Sequence, residues 1–196
     1  MGLTLVTAPT VRAVLLEELK DHLRVDGEDD LAYVAMLIDA IMARVDGKEG
    51  ILNRALITQT WDLTLDAFPT GDFISVPLPP LQSVTSITYT DGAGTSQTWA
   101  SSNYTVITDR LPGRVVLGYQ KVYPATQVIP NAVTVRFVAG YGASWNDVPA
   151  TLRLALMQLA AHWYENRDPV LIGTIQAELP MHVEALLAQH RHSVVV

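Results

Sequence analysis

The chain has 196 residues, of which 49% are hydrophobic and 17% charged, and this composition supports a folded core and excludes a mainly disordered protein. Its net charge of −7 excludes tight, sequence-independent DNA binding, because proteins that hold phosphates usually carry positive charge. The absence of cysteine excludes disulfides and thiolate metal sites, and no apolar run reaches the about 18 residues that a membrane span requires.

The N-terminal segment, residues 1–52, is predicted to form two helices. Residues 14–24 place leucines at helical spacing, and residues 28–48 carry one continuous apolar stripe. The acidic residues that open the second helix complement the positive end of its dipole. The first residues lack the basic region and long apolar core of a signal peptide, and none is expected.

Short β-strands are predicted throughout an inserted module, residues 53–145. Residues 57–67 alternate apolar and polar side chains, with Gln59 as the one exception on the apolar face, which is typical of a half-buried strand. Turn residues separate further short strands, and the pattern indicates a small sandwich or barrel. These further strands are predicted at residues 84–90, 97–99, 104–108, 114–118 and 132–138.

Helices return in the C-terminal segment, residues 146–196. One helix is predicted to begin after Asp147 and to end at Asp168 and Pro169, and a shorter helix spans residues 180–191. The predicted fold is α+β. The N- and C-terminal helices form a bundle, and the small all-β module is inserted between them.

The run HWYENRDP, residues 162–169, raises the question of an active site. His162 and Glu165 lie three residues apart on a helix and could pair as a base and its orienting carboxylate, as in a small hydrolase. No nucleophile or glycine-rich oxyanion loop lies near them in the sequence. The favoured interpretation is therefore structural, with Trp163 in the helical core and Glu165 and Arg167 at a polar helix end.

Metal and cofactor sites are not predicted. His182 and His190 are about two helical turns apart, and His190 and His192 point to different sides of a helix, so neither pair predicts a zinc site. The acidic residues between Asp26 and Asp30 lack the spacing and closing glutamate of an EF-hand. The glycine pairs form no phosphate-binding loop, and they are interpreted as turns.

Six phrases of the sequence, in order along nearly the whole chain, resemble one family. They are LKDHLRVDGEDD, NRALITQTWDLTLDAFP, LPPLQSVTSITYTDGAG, FVAGYG, VPATLRLALMQLAAHWYENRD and LPMHVEALLAQHR. The family is that of phage head–tail connectors, or adaptors, and it includes the adaptor of gene transfer agents, which are domesticated phage-like particles. One departure is that members commonly carry TGRAL after the second helix, where this chain has DGKEGILNRAL.

The resemblance implies a structural virion protein with no catalysis and no cofactor. Such adaptors form a homo-oligomeric ring, commonly twelvefold, beneath the portal protein. The ring joins the portal to the tail or to a head-completion (stopper) protein, and DNA passes through it without being specifically bound. The expected location is the neck of a particle assembled in the host cytoplasm, with no membrane partner. The run at 162–169 is then a packing motif.

The resemblance also places portal binding in the C-terminal region. Residues 169–196 are apolar yet interrupted by proline and glycine, and we expect them to be mobile in the isolated subunit and to order on docking. The residues predicted to contact the portal are Leu171, Ile172, Ile175, Leu186, Leu187 and Arg191.

An alternative interpretation is a β-sandwich that binds a carbohydrate or a receptor on the virion surface. Exposure of Trp99, Tyr119 and Tyr123 on one β face would favour this alternative.

Overall fold

The computed structural model of the protein describes residues 1–27, 30–167 and 179–192. Within these residues it contains four α-helices, eight β-strands and two single turns of 3₁₀ helix, which confirms the predicted α+β class. None of the described helices is long and apolar enough to cross a membrane. The strands are β1 (Gly2–Thr7), β2 (Gln59–Leu65), β3 (Phe73–Val76), β4 (Leu81–Thr90), β5 (Ser96–Thr98), β6 (Tyr104–Ile107), β7 (Gly113–Leu117) and β8 (Val133–Ala139). The helices are α1 (Leu16–Leu23), α2 (Leu31–Val45), α3 (Ala150–Glu165) and α4 (Met181–Ala188).

The chain divides into two compact units, and we call the first the β unit. It comprises Met1–Thr10 and Thr58–Tyr141. One sheet has five strands in the order β1-β2-β8-β4-β5, and the other has three in the order β3-β7-β6. All the strand pairs are antiparallel. Neither described sheet closes into a barrel.

Alternation along β2 and β8 positions the core of the β unit. Trp61 and Leu63 on β2 and Phe137 on β8 are buried. Gln59, the exception in the sequence pattern, is also buried, and its Oε1 accepts a hydrogen bond from the indole Nε1 of Trp61 at 3.1 Å. The amide therefore lies on the apolar face with a hydrogen-bond partner for its carbonyl oxygen, which offsets part of the cost of burying it.

Two strands were not predicted. β1 lies in a segment that was assigned to helical structure, and most of its side chains are exposed, so its six residues show no periodic burial pattern. It is a strand because it pairs with β2, more than fifty residues away in the sequence. β3 has only four residues and pairs with β7. Pairing between distant segments, rather than local periodicity, determines both strands.

The second unit, the helical unit, comprises Val11–Ile57 and the described residues from Gly142 onward. α3 packs against α1, α2 and α4. Its apolar stripe is buried at Leu152, Leu156 and Leu159. Facing residues of the other helices are likewise buried, and they are Leu19, Val34, Leu37, Ile38, Ile41, Val45, Val183 and Leu187.

Residues 46–56, the segment that departs from the family pattern, follow α2 in the sequence and are hydrogen-bonded to residues just after α4. The Asp46 Oδ1 accepts hydrogen bonds from the backbone N–H of Gly47 at 2.9 Å and of Leu56 at 2.8 Å, which closes the segment into a loop. The Arg54 side chain is buried in this loop, and its Nε donates to the carbonyl oxygen of His190 at 2.8 Å. The N–H of His192 donates to the carbonyl oxygen of Leu52 at 2.9 Å.

Replacement of Leu159 with alanine should destabilise the helical unit. Leu159 is 0% exposed on α3, so Leu159→Ala should lower the free energy of unfolding by about 2–5 kcal/mol through lost burial and the cavity left behind. Leu154→Ala on the same helix is the matched control, because Leu154 is 40% exposed and should cost less. Urea unfolding measures both, and equal losses would contradict the packing described for α3.

The stability of the helical unit should fall as the solution is acidified. Burial lowers the pKa of His190 and of His192 below the usual 6.5, and the positive charge of Arg54 lowers both pKa values further. The folded state then binds fewer protons than the unfolded chain, so this stability is fully present above pH 6.5 and is lost as pH falls through the folded pKa values.

Urea unfolding from about pH 7.5 down to about pH 5.5 measures this dependence. The double variant His190→Gln, His192→Gln should flatten the profile. His182→Gln is the control and should leave the profile unchanged, because His182 is exposed. A wild-type stability that stays constant over this range would contradict the account.

Candidate functional site

The run at 162–169 lies at the C-terminal end of α3, and its histidine and glutamate do not form a catalytic pair. His162 is exposed, and its ring Nδ1 lies 3.4 Å from the Nδ2 of Asn166. Glu165 is exposed and has no hydrogen-bond or ion-pair partner among the residues that the structure describes. The geometry thus provides no base oriented by a carboxylate, and the hydrolase interpretation has no support at this position.

Other residues of the run tie α3 to the start of α2. The hydroxyl of Tyr164 and the Nη2 of Arg167 both donate to the Oδ2 of Asp30, the latter at 3.0 Å. The Arg167 guanidinium also lies over the rings of Tyr33, at 4.4 Å, and Tyr164, at 4.5 Å. We call these four residues the Asp30 cluster. It joins two of the sequence phrases that carry the family resemblance.

The Asp30 cluster is held together by charge-assisted hydrogen bonds to the Asp30 carboxylate. Hydrogen bonds from Tyr164 and then Arg167 lower the pKa of Asp30. The same bond to Asp30 raises the pKa of Tyr164. The aspartate therefore stays ionised and the phenol stays protonated at neutral pH, and neither is poised to exchange a proton there. Arg167 thus links the C-terminal end of α3 to the start of α2 through Asp30.

Trp163 differs from the prediction, because it is only partly buried rather than part of the core. It continues the spacing of the buried stripe, but it lies in the last turn of α3, which ends at Glu165. Tryptophan is large and is rarely buried completely, so a partly covered position at a helix end suits it. The full cost of core truncation is therefore not expected for this residue.

The histidines and the acidic segment form no metal site within the described part of the chain. His190 Nε2 lies 2.8 Å from the Oγ1 of Thr151, His192 is held to Leu52 through its backbone, and His182 is exposed. Of the acidic segment, Glu28 and Asp29 lie outside the described residues, while Asp30 contacts Tyr164 and Arg167.

The predicted portal-binding residues have different positions in the structure. Leu171, Ile172 and Ile175 lie outside the described residues. The Leu187 side chain is completely buried where α4 packs on α3, so it is not accessible to a portal in the folded subunit. Residues 169–196 were expected to be mobile until docking, but α4, which lies within them, is packed on α3 in the folded subunit. Leu186 is partly exposed, and Arg191 is exposed.

The aromatic residues of the β unit pack against one another. Trp99 is buried, and its ring lies 5.4 Å from those of Phe68 and Tyr123, between centroids. Phe68 and Tyr123 are stacked at 4.8 Å. Tyr119 is the exposed member of the three residues that a carbohydrate platform would need. The platform is therefore not formed, and the carbohydrate-binding alternative loses its basis.

A surface that sequence reasoning missed is the loop between β7 and β8, residues 118–131, which we call the 118–131 loop. Tyr119, Val122 and Val128 are 89%, 80% and 99% exposed. Three large apolar side chains with such high exposure on one short segment make this loop a candidate contact surface. The signal available in the sequence was the presence of valine and isoleucine in a stretch predicted to be a loop.

Charge is distributed unevenly between the two units. Residues 11–57 and 142–195 carry 15 of the 20 carboxylates and nine of the 13 basic side chains, which gives the helical unit a formal charge of −6. The β unit has the remaining −1. The acidity of the protein is thus a property of the helical unit.

Solved structures similar to this chain come from gene transfer agent (GTA) particles. The neck of a native GTA particle computed with C12 symmetry contains a chain that is 30% identical, with a TM-score of 0.72. The neck of an empty GTA particle computed with C6 symmetry contains one that is 31% identical, with a TM-score of 0.71. The virion of a native GTA particle gives 30% identity and a TM-score of 0.69.

In all three comparisons the similarity covers 100% of this chain and 98% of the solved one. No protein-family model and no curated protein matches the chain. Identity at this level over full length, together with the shared fold, establishes common membership in a family of structural proteins of the particle neck. The chain therefore belongs to the phage head–tail connector family that includes the gene transfer agent adaptors, and it is a structural neck protein, not an enzyme.

Proposed function

We propose that the chain is the adaptor subunit of a particle neck. Twelve copies form a ring that binds the portal protein on one side and the tail or a head-completion protein on the other. DNA passes through the centre of the ring. The observation that carries this proposal is the full-length similarity to chains in necks computed with C12 and C6 symmetry. A ring of twelve copies satisfies both symmetries.

The uneven surface of the subunit supports assembly into a ring. Closed rings use heterologous contacts, in which two different faces of the subunit meet. This chain has a nearly neutral β unit with an exposed apolar loop and an acidic helical unit, so its faces differ in chemistry. Two identical acidic faces would instead repel one another.

The net charge supports passage of DNA without binding. A chain with a charge of −7 repels phosphates at neutral pH, so a duplex inside the ring is not held by the wall.

We expect no detectable binding of duplex DNA by the purified chain. At physiological salt its Kd should be weaker than the about 10⁻⁴–10⁻⁶ M of proteins that bind DNA non-specifically. A fluorescence anisotropy titration with labelled duplexes of several sequences measures this, and a basic DNA-binding protein serves as the positive control. Binding within that range or tighter would contradict the conduit role.

We also propose that the C-terminal region binds the portal, now without Leu187 among the contact residues. Leu186 and Arg191 are accessible on the folded helical unit, whereas Leu187 belongs to its core. Leu171, Ile172 and Ile175 remain proposed contacts on the strength of their apolar character in the sequence. α4 then provides a packed base from which neighbouring residues contact the portal.

Substitutions at these positions should weaken portal binding without unfolding the subunit. Leu171→Ser, Ile172→Ser and Ile175→Ser together, or Arg191→Glu alone, should reduce capture of the chain by immobilised portal rings at least tenfold. The control is Glu184→Gln, because Glu184 is exposed on α4 and is not a proposed contact. Thermal melts report folding. Wild-type capture by both variants, or a lowered melting temperature in either, would contradict the proposed contacts.

A further inference from the structure

The 118–131 loop is held in place while its apolar side chains remain in solvent. The backbone N–H of Gly118 donates to the carbonyl oxygen of Asn103 at 2.8 Å, and that of Gln127 donates to Thr90 at 3.0 Å. The N–H of Asn131 donates to the Oδ1 of Asp66 at 2.9 Å. These contacts fix both ends of the loop on the β unit.

The middle of the loop is fixed as well. The ring of Tyr123 stacks on Phe68, so the loop has its own anchor in the aromatic core. Exposed Val122 and Val128 therefore project from an ordered backbone, not from a free linker. A preorganised apolar surface loses little conformational entropy when it binds, which favours its use as a contact.

Charge indicates which surface the loop fits. Lys121 is the only charged residue between positions 118 and 131, so the loop is apolar with a single positive charge. The helical unit has a formal charge of −6 and exposes large apolar side chains, namely Met36, Leu154 and Met181. An acidic unit with exposed apolar side chains complements an apolar loop that carries a lysine.

We propose that the 118–131 loop binds the helical unit of a neighbouring copy of this chain. The inference rests on the proposed ring, since it assigns one of the contacts between adjacent copies. It uses two different faces of the subunit, so each copy provides a loop to one neighbour and a helical unit to the other. This is the heterologous arrangement that a closed ring requires.

The test uses a photo-crosslinker at the most exposed position of the loop. The chain has no cysteine, so Val128→Cys provides a unique attachment site for a benzophenone maleimide. Val128 is 99% exposed, and its replacement should leave the fold intact. Rings are assembled on the portal from equal amounts of two chains. One is the ¹⁴N chain that carries benzophenone at position 128, and the other is the ¹⁵N chain without benzophenone. The rings are then irradiated and digested, and the crosslinked peptides are identified by mass spectrometry.

The expected result is a crosslink from position 128 of the ¹⁴N chain to a ¹⁵N peptide within residues 11–57, 142–167 or 179–192. Lys121→Glu in the labelled chain should reduce its yield several-fold at low salt, and less at high salt, because it puts an acidic side chain against the acidic unit. Arg110→Glu is the matched control, since Arg110 is an exposed basic residue of the same unit, and it should leave the yield unchanged.

Other outcomes overturn the inference. Crosslinks from position 128 only to portal, to a tail component, to the β unit of another copy or to the same chain would assign the loop to a different contact. An absence of crosslinks in well-formed rings would also exclude it. Either result would exclude the loop contact and leave the proposed ring unaffected. Failure of the wild-type chain to form rings on the portal would instead contradict the proposed function.

Discussion

The packing of α3 is the constraint on which the helical unit depends. α1 and α2 lie between the two chain segments of the β unit, and α4 follows the second segment, yet all three contact α3. Leu152, Leu156 and Leu159 provide the shared apolar surface. Because these contacts join segments that are far apart in sequence, the helical unit is complete only when both of its chain segments are present.

Local periodicity predicted the elements whose burial is regular. The apolar stripes of α2 and α3 and the alternation of β2 could be interpreted directly, because one face of each is buried along most of its length. β1 could not, since it is a largely exposed strand defined by its pairing with β2. The partial exposure of Trp163 could not be predicted either, because helical spacing does not show at which turn a helix stops packing against its neighbours.

The Asp30 cluster explains why a chemically rich run need not be catalytic. Sequence spacing suggested that His162 and Glu165 form a catalytic pair. In the structure, Tyr164 and Arg167 instead bind Asp30, which lies more than 130 positions earlier in the sequence. A sequence cannot reveal such a partner by spacing. The surfaces that we propose for contacts between copies are instead left exposed when such ties are satisfied, and they are the 118–131 loop and the acidic helical unit.

The number of copies bound to one portal ring tests the account most directly. Electron cryo-microscopy of the purified chain mixed with the portal of its particle, reconstructed without imposed symmetry, measures it. The account predicts a closed ring of twelve copies on one face of the portal, with an open central channel. Isolated monomers on the portal, a ring without a channel, or an unbound portal would contradict it.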